Sequence, residues 1–139
     1  MLPEERITAL GFSEADTATL AEHFLDAESR GKLGHGLSRI DWLETLPDLQ
    51  PEATPRRLHV EPGYERWDGS GALGYLTLAA IVAGQLADPP GRARVVVASN
   101  CFPTGVLGWY ARRLAEGGLA TALTATSPAR LPHPEGGEP

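Results

Sequence analysis

Apolar positions along the chain recur first at helical spacing, then lose their rhythm, and then return as helix and strand signals in alternation. Leu20, Phe24 and Ala27 share one face of residues 13–30 while Glu14, Glu22 and Glu28 lie elsewhere, the pattern of an amphipathic helix. Ser13 and Asp16 resemble a capping box at its start. Gly31 marks its end, with Arg30 and Lys32 placed where cations favour the helix dipole. A second helix is predicted over residues 37–46, with Leu37, Ile40 and Leu43 inward and Pro47 as its stop. Together they predict a helical hairpin around Gly34 to Gly36.

Residues 48–71 carry a weaker signal. Pro47, Pro51, Pro55 and Pro62 deny the segment regular helix, leaving a long connection with one short strand over residues 58–61. Trp67-Asp68-Gly69-Ser70-Gly71 reads as a turn in which Asp68 hydrogen-bonds the backbone. Residues 72–87 read as a buried helix rich in alanine and leucine, closed by Asp88-Pro89-Pro90-Gly91. Residues 94–99 are a β-branched run suited to a buried strand, residues 104–116 carry helical spacing through Leu107, Tyr110, Ala111 and Leu114, and residues 119–126 form a second strand candidate. A crossover of that length implies parallel strands joined in the right-handed sense, with ligands gathering at the strands' carboxyl ends, residues 100–105 and Ser127-Pro128.

The predicted fold class is therefore α/β, an N-terminal helical hairpin followed by a β-α-β unit. Within a single domain, residues 1–50 form the helical segment, 51–71 an irregular connection, 72–127 the α/β segment and 128–139 a mobile tail.

Length and composition narrow the function classes. A chain of 139 residues buries roughly two thirds of its unfolded surface without staples. Its net charge of −6 argues against a nucleic-acid partner, whose phosphates call for a basic face. One cysteine excludes an intrachain disulfide, and Met1-Leu2-Pro3-Glu4-Glu5 lacks the features of a signal peptide, so a cytoplasmic protein is expected. No membrane span is expected, because the most apolar run, residues 73–87, is too short and carries Gln85 and two glycines.

The most suggestive chemistry lies in Gly31-Lys32-Leu33-Gly34-His35-Gly36-Leu37-Ser38-Arg39, where a histidine and an arginine stand four residues apart. Four residues make a little over one helical turn, so the pair leaves one side of the element. A small 2-oxo or 2-hydroxy acid needs such a pair: a guanidinium that grips carboxylate through two parallel hydrogen bonds, and an acid or base for the neighbouring oxygen. The plainer alternative is a histidine bonded to backbone and an arginine on a solvated face. Cys101 precedes a helix N-terminus, which makes it either a reactive thiol or a small buried hydrophobe. His23, His59 and His133 have no ligand spacing, so no metal is expected. Arg56-Arg57 and Arg112-Arg113 read as solvated faces or carboxylate partners. Gly69, Gly71 and Gly74 precede a helix, but with no convincing strand before them they are not read as a dinucleotide fingerprint.

Four runs carry a family resemblance. They are Arg30-Gly31 with Gly34-His35-Gly36-Leu37-Ser38-Arg39; Asp68-Gly69 with Leu73-Gly74; Val95-Val96-Val97 with Asn100, Gly105 and Gly108-Trp109-Tyr110-Ala111; and Thr126-Ser127-Pro128 with Pro132 and Gly136-Gly137. In order and spacing this resembles the type 2 malate/L-lactate dehydrogenase family, from about Phe12 onward. The resemblance implies a sulfolactate-dehydrogenase-like fold rather than a Rossmann fold, and an NAD(P)-dependent oxidoreductase of 2-hydroxy and 2-oxo acids whose homodimers build sites between subunits. It places His35 on a family active-site histidine, Arg39 on a substrate-side arginine and Ser127 on a residue that approaches the cofactor, NAD or NADP.

The chain departs from the family pattern at three points. Where the family shows Asn-Ser-x-His-Phe-Gly, this chain reads Asn100-Cys101-Phe102-Pro103-Thr104-Gly105, so Pro103 stands in place of the second histidine. Gly34 replaces a serine, and the sequence ends at Pro139, before the portion that in the family supplies most of the cofactor site. A short member with little or no turnover alone is expected, the alternative being a non-catalytic carboxylate-binding or subunit-interaction module. An open sheet edge invites pairing, so a homodimer or a missing C-terminal partner is expected.

Overall fold

The polar start of the chain is already helical: Pro3 suits the first turn, and Glu5 accepts a hydrogen bond from the Leu2 amide, which opens α1 (Pro3–Ala9). The computed structural model describes residues 1–126. The sequence pattern had not marked α1, which is short and offers only Ile7 to the core. Arg6 ties it to Asp41 and Glu44, at 2.7 Å each, on α3 (Ser38–Glu44).

The predicted first helix is α2 (Glu14–Ser29), where Ser13 Oγ accepts the Asp16 amide at 3.1 Å. The second is shorter than expected. Residues 33–35 form a separate 3-10 turn and α3 begins only at Ser38, so His35 lies ahead of the helix that carries Arg39. Leu20 and Phe24 of α2 and Ile40 and Leu43 of α3 meet Tyr75 and Leu76 of α4 (Gly74–Ala87) in the first core cluster.

The irregular connection proves to be a hairpin. β1 (Arg56–Glu61) pairs antiparallel with β2 (Tyr64–Asp68) across Pro62-Gly63. Sequence reasoning found only part of β1 and missed β2, because the second residue of β2 is a charge: Glu65 is 1 % exposed. Its carboxylate accepts from Trp67 Nε1 at 2.9 Å and Gln85 Nε2 at 3.0 Å, with Arg57 and Arg94 each 3.6 Å away. A carboxylate so surrounded takes an inward strand position that an apolar pattern assigns to a hydrophobe.

β2 runs parallel to β3 (Val95–Ser99), and α4 crosses between them. The parallel β-α-β unit therefore exists one element earlier than predicted, as β2-α4-β3. The expected second strand over residues 119–126 does not form. The helix before it, α5 (Leu107–Glu116), packs Trp109, Tyr110 and Leu114 into a second core cluster, and Leu119 and Leu123 pack against that cluster. A strand needs ladder partners for its amides and carbonyls, and β3 is the last strand of the described sheet, order β1-β2-β3. The predicted tail, residues 128–139, lies outside the described residues. Among the described residues no helix is long and apolar enough to cross a membrane.

Candidate functional site

The His35–Arg39 segment is held by its own backbone and by one side chain from α2. The His35 amide donates to Lys32 O at 2.7 Å, the Arg39 amide to Gly36 O at 3.0 Å, and Ser38 Oγ to Leu33 O at 2.9 Å. Glu28 reaches across from α2 and accepts the Leu37 amide at 3.0 Å, so an acid neutralises the start of α3. A methyl group on Gly36 would displace that carboxylate. Glu28 was read from sequence only as a polar residue on the outer face of its helix.

Arg39 donates from Nε to Gly34 O at 2.7 Å, and its guanidinium lies over Trp42, 5.6 Å from the ring centroid. Among the described residues it has no carboxylate partner, whereas Arg6 holds two and Arg30, Arg112 and Arg113 one each. His35 sits next to it on the surface. Partial desolvation, followed by the charges of Arg39 and Lys32, lowers its pKa below the ordinary histidine value. A neutral imidazole thus stands beside an oriented guanidinium. The two sequence-predicted residues lie within electrostatic reach of one another, on a 3-10 turn and a helix start rather than along one helix.

Beneath them lies a polar pair missed by the sequence reading. His23 is 1 % exposed, and its Nε2 accepts the Val106 amide at 3.0 Å, which docks the start of α5 on α2. Its ring lies 5.0 Å from that of Tyr75, and both His23 Nδ1 and the Tyr75 hydroxyl are buried without a partner among the described residues. Burial pushes His23 down to about 4 and Tyr75 up to about 12, so both are neutral at pH 7. The fields of His35 and Arg39 reach this pair.

At the carboxyl ends of β2 and β3, Asp68 Oδ1 accepts the Ser70 amide and Asn100 Nδ2, each at 3.0 Å. These bonds hold the Asp68 carboxyl below its usual range and confirm the predicted turn. Burial and the nearby Asp68 push the Cys101 thiol up, which fits a small packed group and not an activated thiolate. Arg112 pairs with Asp26 and Arg113 with Glu22. Among the described residues no three His, Cys, Asp or Glu side chains gather as a metal site.

The glycine run needs correction. Gly69-Ser70-Gly71-Ala72-Leu73-Gly74 does follow a strand, β2, and does open a helix, α4, the context in which such glycines cradle a pyrophosphate. Their open faces are taken, however. A methyl on Gly69 would meet the Asn100 carbonyl, one on Gly71 the Gln50 side chain, and one on Gly74 the carbonyls of Cys101 and Pro103. Carbonyl oxygens repel phosphate, so these residues do not fit a dinucleotide; Gly69 and Gly74 serve close packing of the loop after β3, and Gly71 lies against Gln50. Ser127, assigned to the cofactor from sequence, lies outside the described residues.

Comparison with known proteins agrees with this architecture. The sequence pattern of the malate/L-lactate dehydrogenase family matches residues 2–139. Solved structures similar to the chain include malate dehydrogenase from Pyrococcus horikoshii, 24% identical with a TM-score of 0.73, covering 84% of this chain and 34% of that one. Sulfolactate dehydrogenase from Methanocaldococcus jannaschii is 21% identical with a TM-score of 0.70, covering 79% and 33%. A dehydrogenase from Sinorhizobium meliloti is 24% identical with a TM-score of 0.64, covering 84% and 38%. The chain thus spans about a third of the length of these structures. No curated protein matches it.

Proposed function

The chain belongs to the malate/L-lactate dehydrogenase family of oxidoreductases, and from that premise we propose that it supplies the acid-binding side of a 2-hydroxy-acid/2-oxo-acid oxidoreductase site. On its own it binds a small 2-oxo or 2-hydroxy acid and turns it over little or not at all. The observation that carries this reading is the geometry at Arg39: a guanidinium oriented by Gly34 and Trp42, without an acid of its own, beside a neutral His35. Arg39 offers two parallel N–H groups to a carboxylate. His35 then serves the adjacent C2 oxygen, accepting from a hydroxyl at its bare ring nitrogen or donating to a carbonyl from the protonated one.

Two features support low turnover. By the family resemblance, Pro103 stands where the second family histidine is expected, and proline moves no proton. General acid–base catalysis is typically worth about a hundred- to ten-thousand-fold. Gly69 and Gly74 are closed off by the loop after β3 and Gly71 by Gln50, so the nicotinamide cofactor, NAD or NADP, is not held there. The reading is tested by following NAD(P)H absorbance with pyruvate or oxaloacetate. A flat trace is expected; oxidation that His35→Ala abolishes would overturn the inactive reading.

A further inference from the structure

Trp42 has a second neighbour besides Arg39. Its ring lies under the guanidinium, 5.6 Å away, and it also lines a cavity of about 240 Å³ between α3 and the loop after β3. The lining is mostly apolar, with buried Leu73 and Pro103 and half-buried Leu46 and Leu49. Leu73 immediately precedes α4, and Tyr75 in the first turn of that helix lies within the field of Arg39, so a second element leads from the cavity to the same guanidinium. Asp48 and Gln50, both exposed, supply polar groups. Among the described residues that line the cavity, Asp48 is the one charge.

A 2-oxo acid carries three groups on C2. With its carboxylate on Arg39 and its oxygen at His35, the side chain is the group left to lie along Trp42, and the cavity beyond that ring is the space open to it. Size and charge then select the side chain. An apolar cavity of about 150 Å³ takes up benzene. The larger space beside Trp42 therefore holds a branched aliphatic or aromatic group, whereas the methyl of pyruvate leaves most of it to water. A second carboxylate, as on oxaloacetate, meets no cation among these residues and is repelled by Asp48.

We infer that the cavity beside Trp42 is the side-chain pocket of the acid site, and that its ligand is a monocarboxylic 2-oxo or 2-hydroxy acid with a branched aliphatic or aromatic side chain, not a dicarboxylic acid. This assignment rests on the acid-binding reading at Arg39 and names the side chain that the same site takes. Each methylene moved from water into the pocket strengthens binding about fourfold.

The test is isothermal titration of the full chain with pyruvate, 4-methyl-2-oxopentanoate and oxaloacetate at pH 7. The branched acid is expected to bind about tenfold or more tighter than pyruvate, and oxaloacetate no tighter than pyruvate. Leu49→Trp, which fills the cavity, is expected to bring the ratio of branched acid to pyruvate down to about one. Asp48→Asn, on an exposed residue that leaves folding intact, is expected to raise oxaloacetate relative to pyruvate by about twofold to fivefold. Circular dichroism checks that both variants fold. A branched acid that binds no tighter than pyruvate, a preference that survives Leu49→Trp in a folded protein, or an oxaloacetate ratio indifferent to Asp48→Asn would overturn the pocket. If pyruvate binding is nonetheless lost in Arg39→Ala, the acid-binding reading stands without it; if none of the three acids binds, both fall.

Discussion

His23 shows how a single buried side chain sets a property of the whole protein. Unfolded, its imidazole takes up a proton near pH 6.5; folded, burial delays that to about 4. The depressed value means stability is complete above pH 6.5 and falls as the pH drops towards 4, because the unfolded chain gains the proton first. The loss is roughly 2 kcal/mol between pH 7.5 and 5. Urea unfolding at both pH values checks this, and His23→Gln, which retains an acceptor for Val106 without titrating, is expected to remove that share of the drop. Glu28 is a second such residue. Glu28→Ala leaves the Leu37 amide without its acceptor and is expected to raise its hydrogen-exchange rate about tenfold, as read by NMR, with the body of α2 unaffected. His35 and Arg39 were legible in the sequence because their spacing and glycines stand out. Glu28, His23 and Tyr75 were not: the chain's turn back at Gly31 brings Glu28 to the Leu37 amide, and the crossing of α2 with α4 brings His23 to Tyr75, neither of which a linear pattern contains.

Among the elements, α2 and α4 were legible to within a few residues, because long apolar periodicity and capping signals agree there. β3 was too, as residues 94–99, but the other strand readings fared worse. β2 hides behind buried Glu65, and residues 119–126 have the composition of a strand without a neighbour to bond. The glycine run between β2 and α4 illustrates the difference between a motif and its use: the local context suits phosphate, and the packing of the loop after β3 forbids it. Gly74→Ala drives a methyl into the carbonyls of Cys101 and Pro103, where only backbone can yield, and is expected to cost about 1–3 kcal/mol. Gly31 has a positive φ of 70° but open space around it, so Gly31→Ala is expected to cost only about 1 kcal/mol. Urea midpoints of the two variants check the order; a Gly74→Ala protein as stable as the parent would mean that the loop after β3 moves freely.

At the scale of the molecule, two core clusters meet along α4, whose Tyr75 and Leu76 serve one and Leu78, Ile81 and Val82 the other. The first cluster lies beneath the His35–Arg39 surface and the second beneath the described sheet. The His35–Arg39 end is the one proposed to take the small acid. Acid binding at Arg39 is the property on which the proposed function depends. Isothermal titration of the full chain with pyruvate and oxaloacetate at pH 7 tests it most directly: saturable binding is predicted that Arg39→Ala abolishes and Arg39→Lys weakens, because lysine keeps the charge and loses the two-pronged contact. Heat that does not saturate, or binding untouched by Arg39→Ala, would contradict it.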